Sequence, residues 1–233
     1  MRLFQRLFNY RQQGTKGAVA SAELIRLREL DILMNRLLTG DHYVARSEYQ
    51  TVLESYHELP AWFRVLKDSG TLEVFCNAHN TSSEEVNGIL SRYDSFSTLV
   101  ESQNEQFIKA TMISEKEYLD NILKESDPEI ILDDDQRRVV LTDEDYCLVV
   151  AGAGAGKTTT VAAKVKYLVD KQGVDPKQIL VISYTNKAVN ELKERIVRDL
   201  HIECPIATFH STGNAILHKQ NPERLNIVDP SCL

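Results

Sequence analysis

The chain has 233 residues, 42% hydrophobic and 26% charged, with a net charge of −7 and four cysteines. That length leaves room for one or two domains, each able to bury a core. No apolar run approaches the ~20 residues of a membrane-spanning helix, so no membrane partner is expected. The acidic balance gives no overall basic footprint for nucleic acid, although a local groove can hold a strand while the exterior stays acidic. Cys76, Cys147, Cys204 and Cys232 lie far apart with no CxxC pair. That pattern fits reduced thiols in a cytoplasmic protein. Cys76 and His79 have a ligand-like spacing, but two isolated ligands rarely hold a structural metal.

The first 21 residues carry Arg2, Arg6, Arg11 and Lys16 and no acid, and "MRLFQRLFNY" places Leu3/Phe4 and Leu7/Phe8 at helical spacing. The segment lacks the apolar core and small-residue cleavage site of a secretory signal. It reads as a docking helix, with a membrane-surface or targeting helix as the alternative. From Ser21 to Lys124 the grammar is helical. Leu24, Leu27, Leu30, Met34, Leu37 and Leu38 recur at steps of mostly three or four, and Gly40 closes the segment. "ARSEYQTVLESYHELP" reads as a second helix capped by Ser47 and stopped by Pro60. Thr81 and Ser82 each precede a glutamate by three places, as Ser114 precedes Glu117, which is capping-box chemistry. These Leu, Tyr and Phe stripes are the core of an all-helical region spanning residues 1–125, whose protein partners the sequence does not name.

Near "KESDPEI" a proline and acids interrupt the helical period, and a second region, residues 126–233, begins. "CLVVAG" and "QILVISYT" are short β-branched runs that read as buried parallel strands. Each leads into a helical stretch, "KTTTVAAKVKYLVDKQG" and "NKAVNELKERIVRDL". Strand, helix, strand, helix is an α/β unit with a parallel sheet.

Between the first strand and its helix lies "AGAGAGKT", residues 151–158. Phosphate oxygens need several donors converging on one point, and successive backbone N–H groups supply them where no side chain intrudes. Ala151, Gly152, Ala153, Gly154, Ala155 and Gly156 are all small, and the three glycines permit such a loop. The helix starting near Lys157 aims its positive end at the phosphates. Lys157 adds a charge for the β and γ phosphates, the Thr158 hydroxyl suits Mg²⁺, and Thr159 continues the first turn. The general pattern is GxxxxGK[ST], with Ala151 here in place of the first glycine. The loop therefore predicts ATP and Mg²⁺ as ligands, with Lys157 and Thr158 as the groups closest to the chemistry. By itself it is compatible with a P-loop nucleotide kinase or switch, or with a helical interaction module carrying a vestigial loop.

Three further segments narrow this. "AGAGAGKT" resembles the Walker A loop of the UvrD/Rep family of superfamily 1 DNA helicases, where alanine commonly takes the first position. "LDDDQRRVV" (132–140) resembles the family's Q motif, "SYTNKAVNELKERI" (183–196) its motif Ia, and "ATFHST" (207–212) its motif Ib. The likeness is nearest to helicase IV-type members, which carry an N-terminal extension. It implies an incomplete RecA-like P-loop domain preceded by helices, and a parent that translocates 3′→5′ on single-stranded DNA and unwinds tailed duplex. The resemblance also implies that Gln136 reads adenine through its two-faced amide. Tyr184, Thr185 and Asn186, then Thr208, Phe209 and His210, would face DNA, Tyr184 by stacking and Thr185 and Asn186 through phosphate oxygens.

Hydrolysis needs a carboxylate pair on a later strand. "DEDY" at 143–146 precedes the phosphate loop and reads as the turn into "CLVVAG"; after Ser211 only Glu223 and Asp229 remain, neither in a strand pattern. The expectation is an N-terminal portion of a helicase that binds nucleotide but hydrolyses it poorly.

Overall fold

The computed structural model describes residues 16–220, with side chains over 22–219. The expected amphipathic helix at 1–10, Glu223, Asp229 and Cys232 lie outside the described residues. Helices dominate, with one small parallel sheet, so the fold is mixed α/β. The described residues form two compact units: those up to residue 110 together with Asp143–Cys147, and 111–142 together with those from 148 onward. The composition shift near residue 125 therefore falls inside the second unit.

The first unit is built from α1 (Lys16–Leu38), α2 (Arg46–Ser55), α3 (Glu58–Asp68), α4 (Leu72–Ala78), α5 (Ser83–Asp94) and most of α6 (Phe96–Ser114). The Leu24, Leu27, Leu30 and Met34 stripe of α1 is buried against Phe63, Phe75, Val86 and Ile89. Trp62, Phe63 and Phe75 meet edge to face, an arrangement that suits the ring quadrupoles. Ser82 caps α5 as the spacing predicts, accepting from the Glu85 amide at 3.0 Å. Buried Asn104 on α6 makes a two-way bond with the Val44 backbone: its Oδ1 accepts from the Val44 N–H at 2.8 Å, and its Nδ2 donates to the Val44 carbonyl at 2.9 Å.

Two helix boundaries differ from the sequence reading. Pro60 does not stop a helix; it sits buried in the first turn of α3, where a missing N–H costs nothing. Ser47 does not cap α2. Its amide and hydroxyl donate to Asp145 at 2.7 and 2.9 Å, and the Arg46 amide donates to Glu144 at 2.8 Å. The "DEDY" acids thus add anionic acceptors at this helix N-terminus, beside Glu48, whose carboxylate accepts from the Ala45 amide at 3.1 Å.

The second unit holds α7 (Lys116–Asn121), α8 (Asp134–Leu141), α9 (Lys157–Asp170), β1 (Val181–Ser183), α10 (Asn186–Lys193), β2 (Ile206–Thr208) and α11 (Phe209–Gln220). A π turn, Glu194–Asp199, extends α10. The Ser114 capping box does not form, because α6 runs through Ser114 and its hydroxyl bonds back to Thr111. Strands β1 and β2 are parallel, with Val181 opposite Ile206 and Ser183 opposite Thr208. The expected strand at "CLVVAG" is absent: Leu148 and Val150 are 89% and 90% exposed. A β-branched run becomes a strand only beside a hydrogen-bonding neighbour, and β1–β2 is the sole pair among the described residues. For the same reason β1 is covered on one face, with Val181 buried and Ile182 exposed.

Candidate nucleotide-binding site

The site grows from three short elements of the second unit. Asp133 caps α8, accepting from the Gln136 amide at 2.8 Å, while the Gln136 side chain accepts from the Asp133 amide at 3.2 Å. This capping box was legible in the D-x-x-Q spacing. Neighbouring Arg137 is buried, donating to the Leu132 carbonyl at 2.8 Å and to Asp120 at 2.6 Å. Lys164 of α9 donates to the Val140 and Thr142 carbonyls at 2.8 and 2.7 Å, closing the other end of α8. Held at both ends, α8 presents Gln136 to the loop, where its Nε2 donates to the Ala155 carbonyl at 3.3 Å.

The loop has the backbone its glycines allow. Gly154 and Gly156 have φ of +79° and +74°, the left-handed region that side chains avoid. A Cβ on Gly156 would stand 2.5 Å from Gln136 Nε2, so Gly156 also makes room for that contact. Gly152 needs neither freedom. Of the amides from Gly152 to Gly156, only that of Ala155 donates to the backbone, weakly, to the Gly152 carbonyl at 3.4 Å. The remaining loop amides and the first-turn amides of α9 are donors in want of an acceptor. Lys157 Nζ lies over the loop, 2.6 Å from the Gly152 carbonyl and 3.3 Å from that of Ala151. Cation, spare donors and helix terminus converge on the exposed face of one loop, a set that fits a polyphosphate. No cluster of three metal-ligating side chains occurs among the described residues, so a metal here would draw on the Thr158 hydroxyl and on the phosphates themselves. Cys76 and His79 make no such site: the thiol is buried, and His79 stacks on Phe75 and bonds its carbonyl.

The other group of expected site residues gathers at the C-terminal ends of the two paired strands. Tyr184 follows β1 and Phe209 follows β2, and both rings are exposed, 82% and 69%. Phe209 is therefore not a core residue. Thr185 and Thr208 cap the following helices, their hydroxyls accepting from the Ala188 and Ser211 amides at 3.2 and 3.1 Å. Capping uses their lone pairs and leaves Thr185 a free O–H to donate. Asn186 opens α10, and His210 is exposed beside Phe209.

With this geometry in view, residues 132–229 match the family model of the UvrD/REP helicase N-terminal domain. Over that span the chain is similar to that domain. Among curated relatives, it is 41% identical over 93 residues to the ATP-dependent DNA helicase UvrD1 of Mycobacterium leprae, covering 38% of this chain. It is 36% identical over 96 residues to the ATP-dependent DNA helicase PcrA of Staphylococcus aureus, covering 40% of this chain. The matched stretch spans only 12% and 13% of those relatives' own lengths. No helix of the described residues is long and apolar enough to cross a membrane.

Proposed function

We propose that residues 126–233 are the nucleotide-binding part of a RecA-like motor domain, belonging to an ATP-dependent 3′→5′ helicase that acts in the cytoplasm on single-stranded DNA and tailed duplex. The observation that carries this reading is the seating of Gln136 on the Gly156 end of a loop most of whose amides have no backbone acceptor, with Lys157 Nζ held over it by the Ala151 and Gly152 carbonyls. A loop packed merely for structure would spend those donors internally. Residues 151–159 bind the phosphates of ATP, Thr158 holds Mg²⁺, and Gln136 turns its amide to the adenine edge when base replaces the Ala155 carbonyl. Bound Mg²⁺ would neutralise charge between the β and γ phosphates. Tyr184, Thr185, Asn186, Thr208, Phe209 and His210 form a strand-end ledge suited to stacked bases and backbone phosphates. Residues 1–125 act as an accessory helical region.

Isothermal titration tests the reading. The 233-residue chain should bind Mg-ATP and Mg-ADP, and Lys157→Ala should remove most of that binding. Unchanged affinity in Lys157→Ala sinks the assignment of the loop. GTP should compete poorly, and equal affinity for GTP and ATP would remove Gln136 from the site.

A further inference from the structure

The π turn after α10 contains two arginines in contrasting surroundings. Arg198 is 68% exposed and paired with both nearby carboxylates, Glu194 and Asp199. Arg195 is half-buried and has no carboxylate partner among the described residues. Its one hydrogen bond runs from Nη1 to the Thr159 hydroxyl at 2.7 Å, in the first turn of α9 beside the phosphate loop. A guanidinium carries five donors and stays charged at any working pH, so partial burial without an anion is unfavourable unless something supplies one. The π geometry itself, with the Leu200 amide reaching back to the Arg195 carbonyl at 3.1 Å, departs from regular helix at this spot. Such irregular turns concentrate at functional sites.

We propose that Arg195 is a phosphate-binding residue of the nucleotide site, a second cation that reaches the polyphosphate alongside Thr159 while Lys157 approaches from the loop. This rests on the nucleotide reading above and extends it, because nothing in the P-loop pattern places an arginine there. The planar fork suits two phosphate oxygens at once, which the point charge of Lys157 does not. Thr159 accepts one N–H and fixes the direction of the remaining four.

The test measures Mg-ATP and Mg-ADP affinity by titration calorimetry on the 233-residue chain and on Arg195→Gln, Arg195→Lys and Lys157→Ala, with thermal unfolding of each in the absence of nucleotide. Losing charge-assisted bonds to phosphate should weaken both nucleotides about tenfold or more in Arg195→Gln. Arg195→Lys should recover only part of the loss, because it restores the charge and not the fork, with the nucleotide-free melting temperature of both variants unchanged. Arg195→Gln binding within twofold of the unaltered chain, while Lys157→Ala loses binding, overturns the role of Arg195 and leaves the nucleotide reading standing. Equal losses in the Gln and Lys variants together with lowered melting temperatures mean that Arg195 only supports the turn, and also overturn it. No binding by the unaltered chain removes both readings.

Discussion

Replacing Asn104 with alanine removes the side-chain partner of two backbone groups in the interior of the helical unit. Val44 is fully buried, and its N–H and C=O both bond to the Asn104 amide. An orphaned buried polar group costs about 1–3 kcal/mol, so two cost about 2–6. Settling of the 39–45 segment and entry of water should bring the observed loss to about 2–4 kcal/mol, a large part of a typical domain's stability. For a unit of this size that corresponds to a fall of roughly 8 °C or more in Tm. The assay is urea unfolding followed by tryptophan fluorescence. Trp62 is the chain's single tryptophan and belongs to this unit, so the signal reports it alone. Gln106→Ala, on an exposed position of the same helix, is the reference and should shift stability by no more than about 0.5 kcal/mol. If Asn104→Ala unfolds within that same margin, the two-way amide bond is not what fixes Val44, and the reasoning fails.

In a phosphate-release assay, residues 1–233 should show no DNA-stimulated turnover, because a positioned base typically supplies ~10²–10⁴-fold and an arginine finger ~10³-fold or more. Turnover near ~1 s⁻¹ would mean a catalytic carboxylate exists within these residues. Gly156→Ala should weaken Mg-ATP binding about tenfold or more, since its φ of +74° disfavours a side chain and the new Cβ would displace Gln136; calorimetry showing unaltered affinity would contradict the seating of Gln136. Hydrogen bonds from Arg28 and Thr81 hold the Glu85 carboxyl below its ordinary range. A depressed carboxyl contributes stability above the unfolded value near pH ~4.3 and loses it as pH falls through the folded one. Glu85→Gln should therefore flatten the acid limb of the Trp62 unfolding profile below pH ~4.5 and leave its shape at neutral pH unchanged.

Where local chemistry decides structure, the sequence was readable. Ser82 and Glu85 formed their cap, α9 began at Lys157 as the phosphate-loop pattern requires, and the α1 stripe went into the core. Readings failed where a distant group decides. Leu148–Val150 had strand composition but no neighbour to pair with, and Ser47 lost its capping role to acids about a hundred residues downstream. Pro60 shows the limit of a breaker rule, since proline ends one helix and begins another with equal ease. For the candidate site, the glycines and Lys157 are read from the spacing of the loop and Gln136 from the family resemblance. Arg195 was not, because a charge on a helix face ordinarily reads as solvated, and only its missing carboxylate, seen in three dimensions, sets it apart.

The attachment of Glu144 and Asp145 to the start of α2 has a mechanical side. These acids stand only a few residues before Ala151, so the strand of chain entering the phosphate loop is moored upstream rather than hanging free. Without the Arg46 and Ser47 amides, the segment between Leu141 at the end of α8 and Ala151 would lose its anchor on α2 and gain conformational freedom. A chain begun at residue 126 would retain every residue of the loop but neither the Arg46 nor the Ser47 amide that holds Glu144 and Asp145. A weak nucleotide signal from such a trimmed piece would then measure lost anchorage as much as lost affinity.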